Sequence, residues 1–368
     1  MKKHILLISS AYTGNGHQSI TEALCEQFSK LGATVSVLEG FDLLGRPGVK
    51  ISKAYGPVTR TSKEAWRVIW EMVQTSPNSI NRTMAPIMSH KLMAVIEREK
   101  PDIIVSVHPM FVGSVVRILK RKKVDIPFIS IFADLVSISG LWPDARADYN
   151  LCYTDEAEDF ARGCGVPQEK IKRFSFPVRE RFTAGAPVAG SQQYKASHIP
   201  TFLVMSGGEG SGNLILLTRM LLNNFNCRVK VVAGRNERIL RRLLHKEKPR
   251  YGDRLEVFGF TRTIEEQMLA SDLAFMRGSP NTIMEAVNCC LPVIITDALP
   301  GQEAGNPAYF ESHGLARFAD RLPLIGNTVR ELLANNGEKL AAIKENQKAF
   351  RNTDAAKEIA EFILSVAK

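Results

Sequence analysis

Residues 201–223, TFLVMSGGEGSGNLILLTRMLLN, decide the fold. Thr201–Met205 is a short apolar run of the kind a doubly covered strand shows. Four glycines then fall within residues 206–213, and Asn213–Asn223 repeats its apolar residues at helical spacing. Strand, glycine turn and helix open a βαβ unit, and the rhythm continues. Arg228–Ala233 reads as a strand, Glu237–Lys246 as a helix, Leu255–Phe258 and Leu273–Met276 as strands, 282–289 as a helix and 292–296 as a strand, with helical segments to the end. The N-terminal half shows the same design. His4–Ser9 is an apolar run leading into Thr13-Gly14-Asn15-Gly16-His17. Ile20, Ala23, Leu24, Phe28 and Leu31 keep helical spacing up to a stop at Gly32. Thr34–Leu38, Ile103–Val107 and Phe128–Phe132 read as further strands. Residues 112–122 read as a helix whose Lys120-Arg121-Lys122-Lys123 end suits the negative pole of its dipole. Strands alternating with helices predict parallel sheets covered on both faces.

The polar stretch 183–199 interrupts this rhythm and reads as a linker. It divides the chain into a first α/β domain, 1–182, and a second, 200–345. A C-terminal helical segment, 346–368, is expected to pack back on the first domain. At 368 residues the chain has the length of two such domains. With 45% hydrophobic and 23% charged residues it can fill two cores, which excludes wholesale disorder. No apolar run reaches membrane-spanning length, and MKKHILLISS lacks a signal-peptide cleavage site, so a cytoplasmic protein is expected. Cys25, Cys152, Cys164, Cys227, Cys289 and Cys290 form no C-x-x-C pair, which suggests neither a disulfide framework nor a metal site; no cofactor is implied. A net charge of +10 favours an anionic partner. The chain has no nucleic-acid-reading motif, so a phosphorylated ligand or an acidic lipid surface is the expected partner.

Several polar residues fall at the carboxyl ends of the strands, where sheets of this class bind ligands. In the first domain Gly14 and Gly16 let backbone approach a ligand. His17, at the mouth of a helix, suits a general base near neutral pH or, more simply, a helix cap. Glu39 lies where a ribose-binding acid stands in dinucleotide folds, but the third glycine of that fingerprint is replaced by Ser19. His108-Pro109 and Asp134 follow the next two strands. Asp134 suits orienting an imidazole, holding a hydroxyl or capping a turn. In the second domain Gly207-Gly208-Glu209-Gly210 and Ser279-Pro280-Asn281-Thr282 each place small residues at a helix N-terminus, fit for a diphosphate. Gly234-Arg235 brings a cation to the same edge. Glu285 suits ribose hydroxyls, and Gln302-Glu303 suit sugar hydroxyls.

Between Arg46 and Trp70 six basic residues, 46, 50, 53, 60, 63 and 67, face one acid, Glu64. Trp66, Ile69, Trp70 and Val73 recur at helical spacing. A basic helix with an aromatic face, within a membrane-contact segment of about 46–95, suits an anionic membrane surface, with Trp66, Trp70, Lys63 and Arg67 as its contacts; packing on the domain core is the other reading.

In order along the chain, Gly14–His17, His108-Pro109, Asp134 with Trp142, Phe176–Arg179, Gly207–Gly210, Gly234–Asn236, Gly259-Phe260, Pro280–Ala286 and Gly301–Asn306 resemble the monogalactosyldiacylglycerol synthase and processive diacylglycerol glucosyltransferase family. The resemblance spans about residues 5–318. It implies a GT-B fold of two Rossmann-like domains facing a central cleft. The enzyme would be an inverting, metal-independent hexosyltransferase that moves glucose or galactose from its UDP derivative to diacylglycerol. It would work peripherally on the inner face of the cell membrane, without nucleic acid. Gly207, Gly208, Glu209, Gly210, Ser279, Pro280, Asn281 and Thr282 would face the diphosphate, Phe260 the uracil, Glu285 the ribose, and Gln302 and Glu303 the sugar. His17 would be the base. Gly14, Asn15, Gly16, His108, Pro109 and Trp142 would line the acceptor side. The family commonly carries Gly at the positions of Ser279 or Asn281 and Lys at that of Arg277, departures that bear on donor affinity or sugar choice. A UDP-sugar epimerase, or a transferase acting on a lipid-linked cell-wall precursor, would use a similar fold.

Overall fold

The computed structural model describes residues 2–13, 15–185, 198–205 and 213–368. The chain forms two compact units. The first comprises Met1–Arg179, Leu299–Gln302 and Thr353–Lys368; the second comprises Glu180–Ala298 and Glu303–Asn352.

The first unit runs β1 (His4–Ser9), α1 (Asn15–Lys30), β2 (Thr34–Glu39), α2 (Gly45–Thr61), α3 (Lys63–Thr75), α4 (Pro77–Glu99), β3 (Ile103–Ser106), α5 (Pro109–Lys122), β4 (Phe128–Ile131), β5 (Tyr149–Cys152), α6 (Asp155–Gly163) and β6 (Ile171–Arg173). Its six strands are all parallel, in the order β2-β1-β3-β4-β5-β6. Strands β1, β3 and β4 are buried along almost their whole length, which is why their sequences are continuous apolar runs and not alternating ones. Ile20, Ala23, Leu24 and Phe28 turn the apolar stripe of α1 fully inward. Burying each large side chain contributes about 1.5–3 kcal/mol.

The second unit runs β7 (Thr201–Met205), α7 (Leu214–Asn224), β8 (Arg228–Val232), α8 (Glu237–Arg242), a π turn at Leu243–Glu247, α9 (Lys248–Tyr251), β9 (Leu255–Phe258), α10 (Ile264–Leu269), β10 (Leu273–Arg277), α11 (Pro280–Asn288), β11 (Val293–Asp297), α12 (Asn306–Ser312), β12 (Ala316–Phe318) and α13 (Leu322–Phe350). The order β12-β11-β10-β7-β8-β9, again all parallel, is that of a Rossmann sheet. Helix α13 breaks at Ala334–Gly337, where Asn335, Asn336 and Gly337 take positive φ. The chain ends with α14 (Ala355–Val366), which packs on α1 in the first unit through a face that includes Ala356, Ile359, Ala360 and Ile363.

Strands β5, β6 and β12 are absent from the sequence reading. They are three or four residues long and carry polar side chains such as Asn150, Lys172 and Arg317, so neither apolar run nor alternation marks them. Helix α5 starts at Pro109, three residues before the expected start, because His108 Nδ1 accepts from the Met110 N–H and caps it. The helix read as Glu237–Lys246 is α8 followed by the π turn.

Strand order reverses between β1 and β3 in the first unit and between β7 and β10 in the second. The carboxyl ends of those four strands are where a ligand is expected.

Candidate active site

In the first unit the chain leaving β1 turns into α1, and the chain leaving β3 turns into α5. This brings His17 and His108 together, with ring centroids 4.3 Å apart. Thr21 Oγ1 lies 2.8 Å from both the Ser9 hydroxyl and the His17 carbonyl oxygen, locking the first turn of α1 against β1. His17 Nδ1 lies 2.8 Å from the carbonyl oxygen of Val107, so it carries the proton and donates. Nε2 is therefore the atom with the free lone pair. Burial lowers the His17 pKa from 6.5 to about 4, against the upward pull of the Val107 carbonyl. The ring is neutral at pH 7, with the Nε2 lone pair unprotonated.

His108 is buried. Its Nδ1 accepts from Met110, so Nε2–H points to Thr13 Oγ1 at 3.0 Å. Burial holds it well below the usual histidine range, and repulsion from His17 adds to that. Two imidazoles this close cannot both carry charge. Phe41 and Phe111 close the far side of the His108 ring. Pro109 sits at the first turn of α5.

Asp134 is buried, and its Oδ2 accepts from the indole N–H of Trp142 at 2.7 Å. Trp142, fully buried, lies with its ring 6.0 Å from that of His17 and 5.6 Å from that of Phe132. The Val107 carbonyl is thus the group that orients the His17 ring, and the Asp134 carboxylate holds the indole. Gln302 groups with this unit, its side-chain amide donating to Asp134 Oδ1 at 3.4 Å. Gly16 lies in the first turn of α1; Gly14 and the side chain of Asn15 lie outside the described residues. Glu39, the ribose-acid candidate, accepts instead from the backbone N–H groups of Ala11 and Phe41, clamping the loop after β1. Thr13 and the Val107 carbonyl escaped the sequence reading. A backbone acceptor leaves no mark in residue type, and Thr13 meets His108 only through the fold.

In the second unit the glycine loop Gly207-Gly208-Glu209-Gly210 lies outside the described residues. Its neighbour at the strand-order reversal, the start of α11, is described. Pro280 occupies the first turn, Ser279 makes no side-chain cap, and Ser279 and Thr282 are half-buried. The N–H groups of Asn281 and Thr282 belong to a first turn that no intrahelical carbonyl can reach. Asn281 is 6% exposed, and its Oδ1 is buried without a hydrogen-bond partner. Glu285 is buried along the same helix. Arg277, the last residue of β10, pairs through Nε with Glu303 Oε2 at 3.1 Å; Glu303 follows β11 and is buried. Gly234 takes φ +59 as the chain leaves β8. Arg235 then spreads its guanidinium over the ring of Phe260 at 4.3 Å, with both side chains exposed.

Helix α3 has no buried residue. Trp66, Trp70 and Val73 are half-covered, while Val68 (51%), Ile69 (41%) and Met72 (65%) are exposed. The apolar face is wider than the stripe read from the sequence, and its uncovered part is the Val68–Ile69–Met72 edge. Lys63 and Arg67 are exposed, Arg67 within 3.8 Å of Glu71. Among the described residues, no helix is long and apolar enough to cross a membrane.

Residues 17–178 match the family model described as monogalactosyldiacylglycerol (MGDG) synthase, a stretch that begins at His17. A probable monogalactosyldiacylglycerol synthase, chloroplastic, from Nicotiana tabacum is 26% identical over 96% of this chain and 69% of its own. A processive diacylglycerol β-glucosyltransferase from Bacillus cereus is 26% identical over 99% of this chain and 94% of its own. Among solved structures, MurG from Acinetobacter baumannii superposes with a TM-score of 0.62 over 99% of both chains at 13% identity, a likeness of fold alone. The chain is a glycosyltransferase with the GT-B fold. Within that class it is similar to the MGDG synthases and the processive diacylglycerol β-glucosyltransferases.

Proposed function

We propose that the protein moves a hexose, glucose or galactose, from its UDP derivative to the free hydroxyl of diacylglycerol, with inversion, at an anionic membrane surface. The names of the relatives supply the acceptor and the hexoses. The observation that carries the mechanism is the His17 ring, whose Nδ1 is committed to Val107 and whose Nε2 is left as an acceptor. As the glycerol oxygen bonds to C1 of the sugar, its proton passes to Nε2. The bond from C1 to the β-phosphate breaks, and UDP leaves with the electron pair. A displacement of this kind yields a β-linked glycolipid.

On the donor side, the start of α11 at Ser279 and Pro280 offers the N–H groups of Asn281 and Thr282 and a positive dipole end to the growing charge on the β-phosphate. The glycine loop 207–210 would serve the same anion. The Arg235–Phe260 stack suits the face of a uracil, Glu285 the ribose hydroxyls, and Gln302 and Glu303 the hydroxyls of the sugar. The exposed edge of α3, with Lys63 and Arg67 beside it, suits peripheral seating on anionic lipid, where each cation near the surface is worth about 1 kcal/mol. Inner-face, cytoplasmic attachment follows from that reading.

The test is transfer of labelled sugar into a chloroform-extractable product, with UDP-glucose and UDP-galactose offered separately to vesicles of phosphatidylglycerol and diacylglycerol. Label in the organic phase with one or both donors supports the proposal. No extractable label with either donor, or isomerisation of the free UDP-sugar in lipid-free buffer, overturns it.

A further inference from the structure

The Gln74 side chain hydrogen-bonds helix α3 to the loop that carries Asp134 and Trp142. Gln74 Nε2 donates to the Ile138 carbonyl at 3.1 Å, and its Oε1 accepts from the Gly140 N–H at 2.6 Å. The amide thus pairs with the backbone on both sides of Ser139, as a strand neighbour would. A Cβ at Gly140 would lie 3.3 Å from Gln74 Oε1, a tight contact, and 3.5 Å from Pro77 Cγ, an ordinary one. At its other end the loop is held by Thr154, whose hydroxyl donates to the Leu135 carbonyl at 2.6 Å. Along the loop Leu135, Ile138 and Leu141 are buried, and it delivers the Trp142 indole to Asp134 and the Trp142 ring to the side of His17. On the opposite side of α3 from Gln74 is the uncovered apolar edge, Val68, Ile69 and Met72.

We infer that Gln74 is a positioning residue: it sets the Asp134–Trp142 loop and passes the seating of α3 on a lipid surface to the loop beside His17. This rests on the membrane reading proposed above for the direction of the signal, but not for the tie itself. Without the Gln74 tie the loop would keep its buried side chains and its bonds from Thr154 to Leu135 and from Ser130 to the Trp142 carbonyl, while its 138–140 backbone opens more often. Met at position 74 would keep the length and packing of the side chain while making neither bond, so Gln74→Met separates the tie from the fold; Gln74→Ala is the companion variant.

The experiment is hydrogen–deuterium exchange of the full chain, read over 63–75 and 134–142, with and without phosphatidylglycerol vesicles. Without vesicles, both variants are expected to exchange at least about fivefold faster over 134–142 than the parent, the lower end of what two lost hydrogen bonds allow. Exchange over 134–142 equal to the parent's in both variants overturns the positioning role. With vesicles, the parent is expected to slow over both segments and the variants over 63–75 alone. Equal slowing over 134–142 in parent and variants overturns the coupling. Vesicles that leave 63–75 of the parent unprotected overturn the membrane reading and with it the coupling, while the vesicle-free comparison still decides the tie.

Discussion

The half-buried His17 imidazole makes the stability of the first unit depend on acid in a way that one substitution can remove. In the folded protein its pKa is lowered to about 4, and in the unfolded chain it returns to about 6.5. The unfolded state therefore binds the proton first. The stability that the neutral ring allows is present above pH 6.5 and is lost as the pH falls toward 4. For one group with these two values, the loss between pH 8 and pH 5 is about 2 kcal/mol, and the full loss below pH 4 about 3 kcal/mol. Asn at position 17 can still donate an N–H to the Val107 carbonyl but has no proton to take up. His17→Asn should thus lose about 2 kcal/mol less than the parent between pH 8 and pH 5. His108, shifted the same way by burial and by His17, leaves a remaining acid sensitivity in both proteins. The assay is urea unfolding at the two pH values followed by tryptophan fluorescence. All three tryptophans, Trp66, Trp70 and Trp142, lie in the first unit, so the signal reports that unit by itself. An acid loss in His17→Asn equal to the parent's would refute the reasoning and would mean that solvent reaches the ring freely.

Three further outcomes are expected. Asn281→Ala removes a buried oxygen that has no partner; leaving such a group unsatisfied costs about 1–3 kcal/mol, so the ligand-free variant should melt higher than the parent while gaining less from added UDP. Val68→Asp with Met72→Asp alters two exposed positions; melting should stay within a few degrees while co-sedimentation with phosphatidylglycerol vesicles falls at least about tenfold. Arg235→Ala breaks the stack on Phe260, an exposed cation–π contact worth about 0.5–1 kcal/mol, and should weaken UDP binding several-fold by calorimetry without changing stability.

Much of this fold is legible in the sequence because its strands lie inside covered parallel sheets. A run such as Ile5-Leu6-Leu7-Ile8, short, wholly apolar and followed by glycines, fits a strand covered on both faces and little else. The strands that escape are those at or near the sheet edges, where three or four residues suffice and Asn150 or Arg317 can occupy a strand position. The location of the site was legible for the same reason, since parallel strands gather their carboxyl ends on one edge. What each residue does there was less so. His17 and Val107 are 90 residues apart, and the acceptor is a backbone oxygen, so no side chain announces the bond that sets the tautomer. Glu39 fits a ribose acid by position, yet two backbone N–H groups claim it. On α3, periodicity identifies an apolar face but not which part is covered, because Trp66, Trp70 and Val73 face the protein and Val68 and Met72 do not.

The most direct measurement is the turnover of His17→Ala at saturating UDP-hexose and diacylglycerol, with the Kd for UDP measured alongside. Loss of a base that takes the acceptor proton predicts a fall of about 10²–10⁴-fold in kcat with the UDP affinity unchanged. Parental turnover in that variant would contradict the proposal that this imidazole drives the transfer.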